Sequence, residues 1–216
     1  MNVFCVLNIS VLKAQTVERK FLVGVSSSFS IAGTGSNLMS FGYTTSKGKS
    51  NAFGFKESDP DKATGFNFLP KFGYFVTNNL ALGLDINLAL SDSVCNSMLY
   101  QYTSNNTLIS GGPFIRYYIL MGGVSPFIEL GGSFGINKNK NEYHNIINKS
   151  NSSILAFGGG AGIAVPLKRT ATFDVMLGYN TLTVKETKNN PDNTRTVMGT
   201  IGLKLGFIIF IGLGAD

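Results

Sequence analysis

Charge is what this sequence has least of. Lys, Arg, Asp and Glu make up 14% of 216 residues, against about a quarter in soluble globular chains, so a water-facing surface would be hard to cover. Long apolar runs are missing as well. The longest uncharged apolar stretch, 205–215, is eleven residues, short of the ~18 or more that a spanning helix needs. Spanning helices are thereby excluded, and a closed barrel is the remaining way to cross hydrocarbon, because open sheet edges cannot be left unpaired there. The single histidine and two cysteines exclude a metal centre of clustered His and Cys ligands, since His144 and Cys95 lie far apart in the chain. The net charge of +6 does not point to nucleic acid. Most lysines stand in polar connecting segments beside Glu57, Asp59, Asp61, Glu142, Glu186 and Asp192, with no basic stripe carrying aromatics on which bases would stack.

Residues 1–15, MNVFCVLNISVLKAQ, resemble a secretory signal peptide in having a short apolar core before polar TVERK, although no positive charge precedes the core. Its removal would leave Cys95 as the only cysteine, with no intramolecular disulfide. Residues 16–216 are expected to form a single domain.

What the sequence does contain is alternation. Residues 80–90 read LALGLDINLAL, with an apolar side chain at every second position, the period of a strand and not of a helix. The pattern recurs over about 20–31, 64–76, 80–91, 107–119, 126–136, 153–165, 172–181 and 196–211. Each segment is long enough to cross a membrane at a tilt, which takes about nine to eleven residues. Short connections at 77–79, 120–125 and 166–171 alternate with long loops at 32–63, 92–106, 137–152 and 182–195. In an up-and-down barrel this places all long connections on one rim. The expected fold is therefore all-β, a closed antiparallel up-and-down transmembrane β-barrel of eight strands. Ten strands are the alternative, because SFGYTT and NAFGF within 32–63 read as a hairpin. Long loops would be extracellular and both termini periplasmic.

Opposite the apolar face stand mainly Gly and Ser, with six charges: Lys71, Asp85, Arg116, Glu129, Asp174 and Lys204. Three are positive and three negative, at most one per strand. Against lipid, the three cations would cost about 2–4 kcal/mol each at mid-depth, a sum comparable with the stability of a whole domain. The charged face is therefore assigned to a packed lumen as a structural ion-pair cluster, because paired buried charges persist where lone ones do not. Eight strands leave an interior that side chains just fill, which favours a plug over a gated path. Phe72, Tyr74, Tyr117, Phe173 and Phe207 point outward near the short-turn rim and Tyr179 near the other, as an aromatic girdle. Phe210 falls on the lumen side by strict counting, so a bulge or an early strand end is expected near Ile208.

The segments PKFGYFVTNNLALGLDI (70–86), GGPFIRYYIL (111–120) and SPFIELGGSFG (125–135) resemble the small outer-membrane β-barrel proteins of Gram-negative bacteria. The likeness covers about residues 20–211. It implies an eight-stranded barrel in outer-membrane lipid, inserted by the outer-membrane assembly machinery.

Candidate chemistry is sparse. His144, with Ser150 or Ser152 and Glu142, holds the residue types of a nucleophilic site, but all lie on one expected loop with no scaffold to fix them. The string FGGGAGIA (157–164) lacks the Lys-Ser/Thr of a phosphate loop, and lumen glycines that make room for long neighbours explain it better. No catalytic residue, cofactor or metal is assigned. The expected function is a monomeric, non-enzymatic barrel acting through its external loops on envelope or host molecules, the loop ligand being unspecified. The alternatives are a secreted lipocalin-like barrel with an apolar ligand, or a lipid-modifying enzyme.

Overall fold

A computed structural model describes residues 20–33, 42–46, 61–96, 101–119, 123–143, 146–168, 170–187 and 195–212. Among them are nine strands: β1 (Lys20–Gly33), β2 (Gly42–Ser46), β3 (Asp61–Phe75), β4 (Leu80–Asn96), β5 (Gln101–Tyr118), β6 (Ser125–Tyr143), β7 (Ile146–Lys168), β8 (Ala171–Glu186) and β9 (Arg195–Gly212). Every neighbour pair is antiparallel, and β1 pairs with both β9 and β3, so eight strands close into a barrel. The ninth, β2, lies outside the ring and pairs only with the Asp61–Gly65 end of β3. Ten strands are thus not what the first long segment forms within the described residues; NAFGF and the signal-like residues 1–15 lie outside them.

Alternation fixes which face meets which surroundings. Leu82, Leu84, Ile86, Leu88 and Leu90 of β4 are exposed on the outer wall, and so are Ile128, Leu130, Phe134 and Ile136 of β6 and Ile201, Phe207 and Ile209 of β9. Such a continuous apolar exterior is far larger than a soluble monomer tolerates, and it removes the lipocalin-like alternative. The belt stops abruptly: outward positions change to Asp92 on β4, Lys138 on β6, Asn151 on β7 and Lys185 on β8.

Beyond that level the chain departs from its sequence reading. Segments 92–106 and 137–152, expected to be loops, are mostly ladder, with β4 paired to β5 as far as Asn96–Gln101 and β6 to β7 as far as Tyr143–Ile146. Polar composition without alternation reads as loop, but a ladder already nucleated in the membrane can continue into water by backbone bonding, with no apolar face needed. Only 187–194 in the fourth long segment separates its strands.

The bulge expected near Ile208 is absent. The β8–β9 register runs unbroken from Lys185–Arg195 to Ala171–Ile209, and Phe210 is 5% exposed inside the barrel. It stays inward because the short-turn end of the lumen is itself apolar: its ring lies 5.8 Å from that of Phe75 and 6.4 Å from that of Tyr118. The register shifts that do occur are at Ser30/Ala32 and Pro166/Lys168.

Candidate functional site

The lumen is filled in layers. Nearest the short turns, Leu22, Phe75, Tyr118, Phe127, Ile208 and Phe210 form a buried apolar plate. Glycines let backbone and large rings come close together: a Cβ on Gly162 would fall 2.5 Å from the Val175 carbonyl oxygen and 2.6 Å from the ring of Phe127, and one on Gly83 would run into the Phe72 carbonyl oxygen and fall 2.5 Å from the ring of Phe114.

Above the plate the six charges converge from six strands. Glu129 on β6 is the hub. Its carboxylate takes Arg116 from β5 at 2.6 Å, Lys204 from β9 at 3.2 Å, and Lys71 from β3. Lys71 also lies 3.4 Å from Asp85 on β4, and Arg116 reaches across to Asp174 on β8. Arg116 donates further to the Tyr118 hydroxyl at 3.0 Å, and Thr172 donates to Asp174 at 2.9 Å. Aromatic faces complete the cage, with Lys71 Nζ 4.0 Å from the centroid of Phe114 and the Arg116 guanidinium carbon 4.1 Å from that of Phe127. Lys71, Arg116, Glu129 and Asp174 are each at most 4% exposed. Such burial is sustainable because every charge has an opposite partner and the sum is zero. Small voids remain: about 80 Å³ bounded by Asp85, Asn87, Glu129, Asn180 and Lys204, and about 10 Å³ beside Arg116 and Asp174.

Further up, Ala89, Leu108, Ile154, Ala156 and Leu182 close a second apolar layer. Beyond it opens a polar vestibule of about 360 Å³ lined chiefly by Ser and Asn. It is the largest of the lumen spaces described, and much of its wall is formed by segments 92–106 and 137–152, whose polar residues carry no strand period.

Phe72, Tyr117, Tyr179 and Phe207 are exposed on the outer wall, Tyr74 less so and Phe173 half-buried. Phe173 and Phe207 are cross-strand neighbours 5.1 Å apart. The residues of the nucleophilic alternative do not come together. Ser152 is buried toward the lumen, whereas Glu142 points outside and pairs with Lys140 at 3.6 Å; His144 lies outside the described residues. Among those residues no cluster of His, Cys, Asp and Glu could hold a metal ion.

A seam interrupts the wall. Pairing between β1 and β3 runs only from Phe21–Tyr74 to Ser26–Leu69. Past that point the side chain of Asn67 substitutes for the ladder. Its Oδ1 accepts from Ser27 Oγ at 2.7 Å and Ser28 N at 3.1 Å, and its Nδ2 donates to Ser28 Oγ at 2.7 Å.

Residues 40–207 match the family model of the outer membrane protein beta-barrel domain. Similar solved structures include Neisserial surface protein A, at 16% identity over 88% of this chain and 96% of that one with a TM-score of 0.45. They include Ail, the attachment invasion locus protein of Yersinia pestis, at 16% identity over 89% and 100% with a TM-score of 0.40. A third is the outer membrane protein OprG from Pseudomonas aeruginosa, at 12% identity over 91% and 99% with a TM-score of 0.41. No curated protein matches.

Proposed function

Because this chain belongs to the outer membrane protein beta-barrel domain family, we propose that it is a monomeric, non-enzymatic barrel whose lumen is sealed and whose work is done at its polar rim. The observation that carries this reading is the neutral six-charge cluster seated on an aromatic plate, which leaves voids of only about 80 and 10 Å³ at mid-membrane. Filling of that kind suits a wall element and not a conduit. The strand extensions on the rim opposite the short turns face the cell exterior, as long connections do in this class of barrel. There they meet envelope or host molecules. Outer-membrane lipid surrounds the belt, and the assembly machinery inserts it.

Two measurements test the reading. In planar bilayers the purified barrel produces no stepwise conductance. In intact cells a membrane-impermeant amine reagent modifies Lys138 and Lys149, both exposed on the extensions, but reaches Lys168, exposed at the short-turn rim, only after permeabilisation. Resolved current steps would overturn the sealed lumen, and labelling of Lys168 first would reverse the orientation.

A further inference from the structure

Just past the belt, the outer wall is basic on one flank. Four adjacent strands, β6 to β9, turn five cations outward there: Lys138, Lys140, Lys149, Lys185 and Arg195. Against them stands one carboxylate, Glu142, 3.6 Å from Lys140. On β3 and β4 the outward charges past the belt are Lys62 and Asp92, one of each sign.

The register makes the basic flank costly. Lys140 stands directly opposite Lys149, and Lys185 directly opposite Arg195, which places the Cβ atoms of each pair about 4.5–5.5 Å apart. Like charges in that position destabilise a sheet. Two such pairs within four strands are relieved by an anion lodged between their members.

Height decides which anion. Lys138 follows the exposed Ile136 by one pleat, and Arg195 precedes the exposed Val197 by one, about 5 Å of height beyond the belt at the usual tilt. The polar zone of one leaflet is about 5–8 Å deep, so these side chains face sideways into lipid headgroups and not upward into solvent. Their aliphatic stems lie along the edge of the belt while the charged ends reach the headgroups. A phosphate monoester carries about −1.5 to −2 charge and three acceptor oxygens, which suits it to bridge two opposed cations, and a guanidinium such as that of Arg195 holds phosphate bidentately.

We infer that the outer face of β6–β9 is a docking site for the phosphate-bearing headgroup of a lipid in the adjoining leaflet. Such lipid gathers on this flank and not on the one that carries Lys62 and Asp92. The inference needs the barrel inserted in a bilayer, but neither a sealed lumen nor an external orientation of this rim.

The chain has no tryptophan, so one placed at the belt edge reports its own lipid neighbours. Ile136→Trp probes the basic flank and Leu90→Trp, two residues before Asp92, the other; both positions are exposed. The full chain is reconstituted in phosphatidylcholine vesicles holding a minor share of phosphatidic acid, with bromine on the acyl chains of one lipid or the other. Quenching shows phosphatidic acid enriched about fivefold or more beside Ile136→Trp, the preference that one cation near the surface confers, and not beside Leu90→Trp. Lys138→Gln, Lys149→Gln, Lys185→Gln and Arg195→Gln together remove the enrichment, whereas Lys168→Gln, at the short-turn rim, leaves it. A second readout is the urea midpoint of Lys185→Gln alone: it rises in pure phosphatidylcholine, where the opposed pair is relieved, and falls when phosphatidic acid is present. Equal quenching by the two lipids, the same enrichment on both flanks, enrichment that survives the fourfold change, or a midpoint that moves the same way in both lipids would each overturn the site. So would saturable binding of heparin to vesicles that show no lipid preference, which assigns the patch to a soluble polyanion. No preference in a barrel that carries no current sinks this inference alone; a preference in a barrel that conducts sinks the sealed lumen alone.

Discussion

Replacing Glu129 with Gln keeps the shape of the hub and removes its charge. Before the change, Lys71, Arg116 and Lys204 face Asp85, Glu129 and Asp174, three against three; afterwards three cations face two carboxylates. The loss falls at the most connected point, where one carboxylate serves three cations and is itself 3% exposed. Deleting one partner of a buried ion pair costs about 3–5 kcal/mol, because the orphaned charge remains desolvated. Against a total stability of about 5–15 kcal/mol, that is a large fraction. Urea unfolding in vesicles, followed by the mobility difference between boiled and unboiled protein, measures it. Restoring balance gives a second arm. Lys204, whose side chain is 18% exposed beside the 80 Å³ void, is the cation that can be removed with least disturbance. Glu129→Gln combined with Lys204→Met therefore recovers a substantial part of the lost stability, a coupling expected of residues in one network. If Glu129→Gln shifts stability by less than about 0.5 kcal/mol, the size of an ordinary surface change, the cluster is hydrated and the sealed-lumen reasoning is refuted.

The other predictions concern the wall. Leu84→Arg, at an outward position 60% exposed in the belt, destabilises the inserted barrel by about 2–4 kcal/mol, read as a lower urea midpoint in vesicles. Asn67→Ala removes three hydrogen bonds across the β1–β3 seam, each contributing about 0.5–1.5 kcal/mol; hydrogen exchange should accelerate at Ser28 before it does in β6 or β7. Gly162→Val drives a side chain into the carbonyl oxygen of Val175 as well as the ring of Phe127 and costs at least about 1–3 kcal/mol by overpacking, read as a lower urea midpoint, and Phe127→Leu in the same chain restores only a minor part because the backbone clash stays.

Parity made the barrel and its inside legible, since Asp85 between Leu84 and Ile86 has one face to occupy in a strand of either direction. The charge count told that the interior is neutral, but it held no information on who pairs with whom; that Glu129 is the hub follows from strand tilt and side-chain reach. Asn67 was visible as one more polar lumen residue, yet its role as a substitute for backbone pairing depends on where β3 leaves β1 for β2, a non-local event. The polar ends of β6 and β7 escaped because NKNKNEY and IINKSNSS carry no period. Phe210 counts inward by parity, and its greasiness argues for a bulge only in a uniformly polar interior, whereas the short-turn end of this lumen is a ring of aromatics.

The abrupt edge of the greasy belt carries a geometric consequence. Past Lys138, β6 continues for five residues to Tyr143 while hydrogen-bonded to β7, about 17 Å of strand and about 13 Å of height at the usual tilt. The polar headgroup zone on one side of a bilayer is only about 5–8 Å deep. The paired ends of β6 and β7 therefore stand clear of the lipid surface, and a macromolecule resting on them is held off the membrane by a distance that an unpaired segment would not maintain.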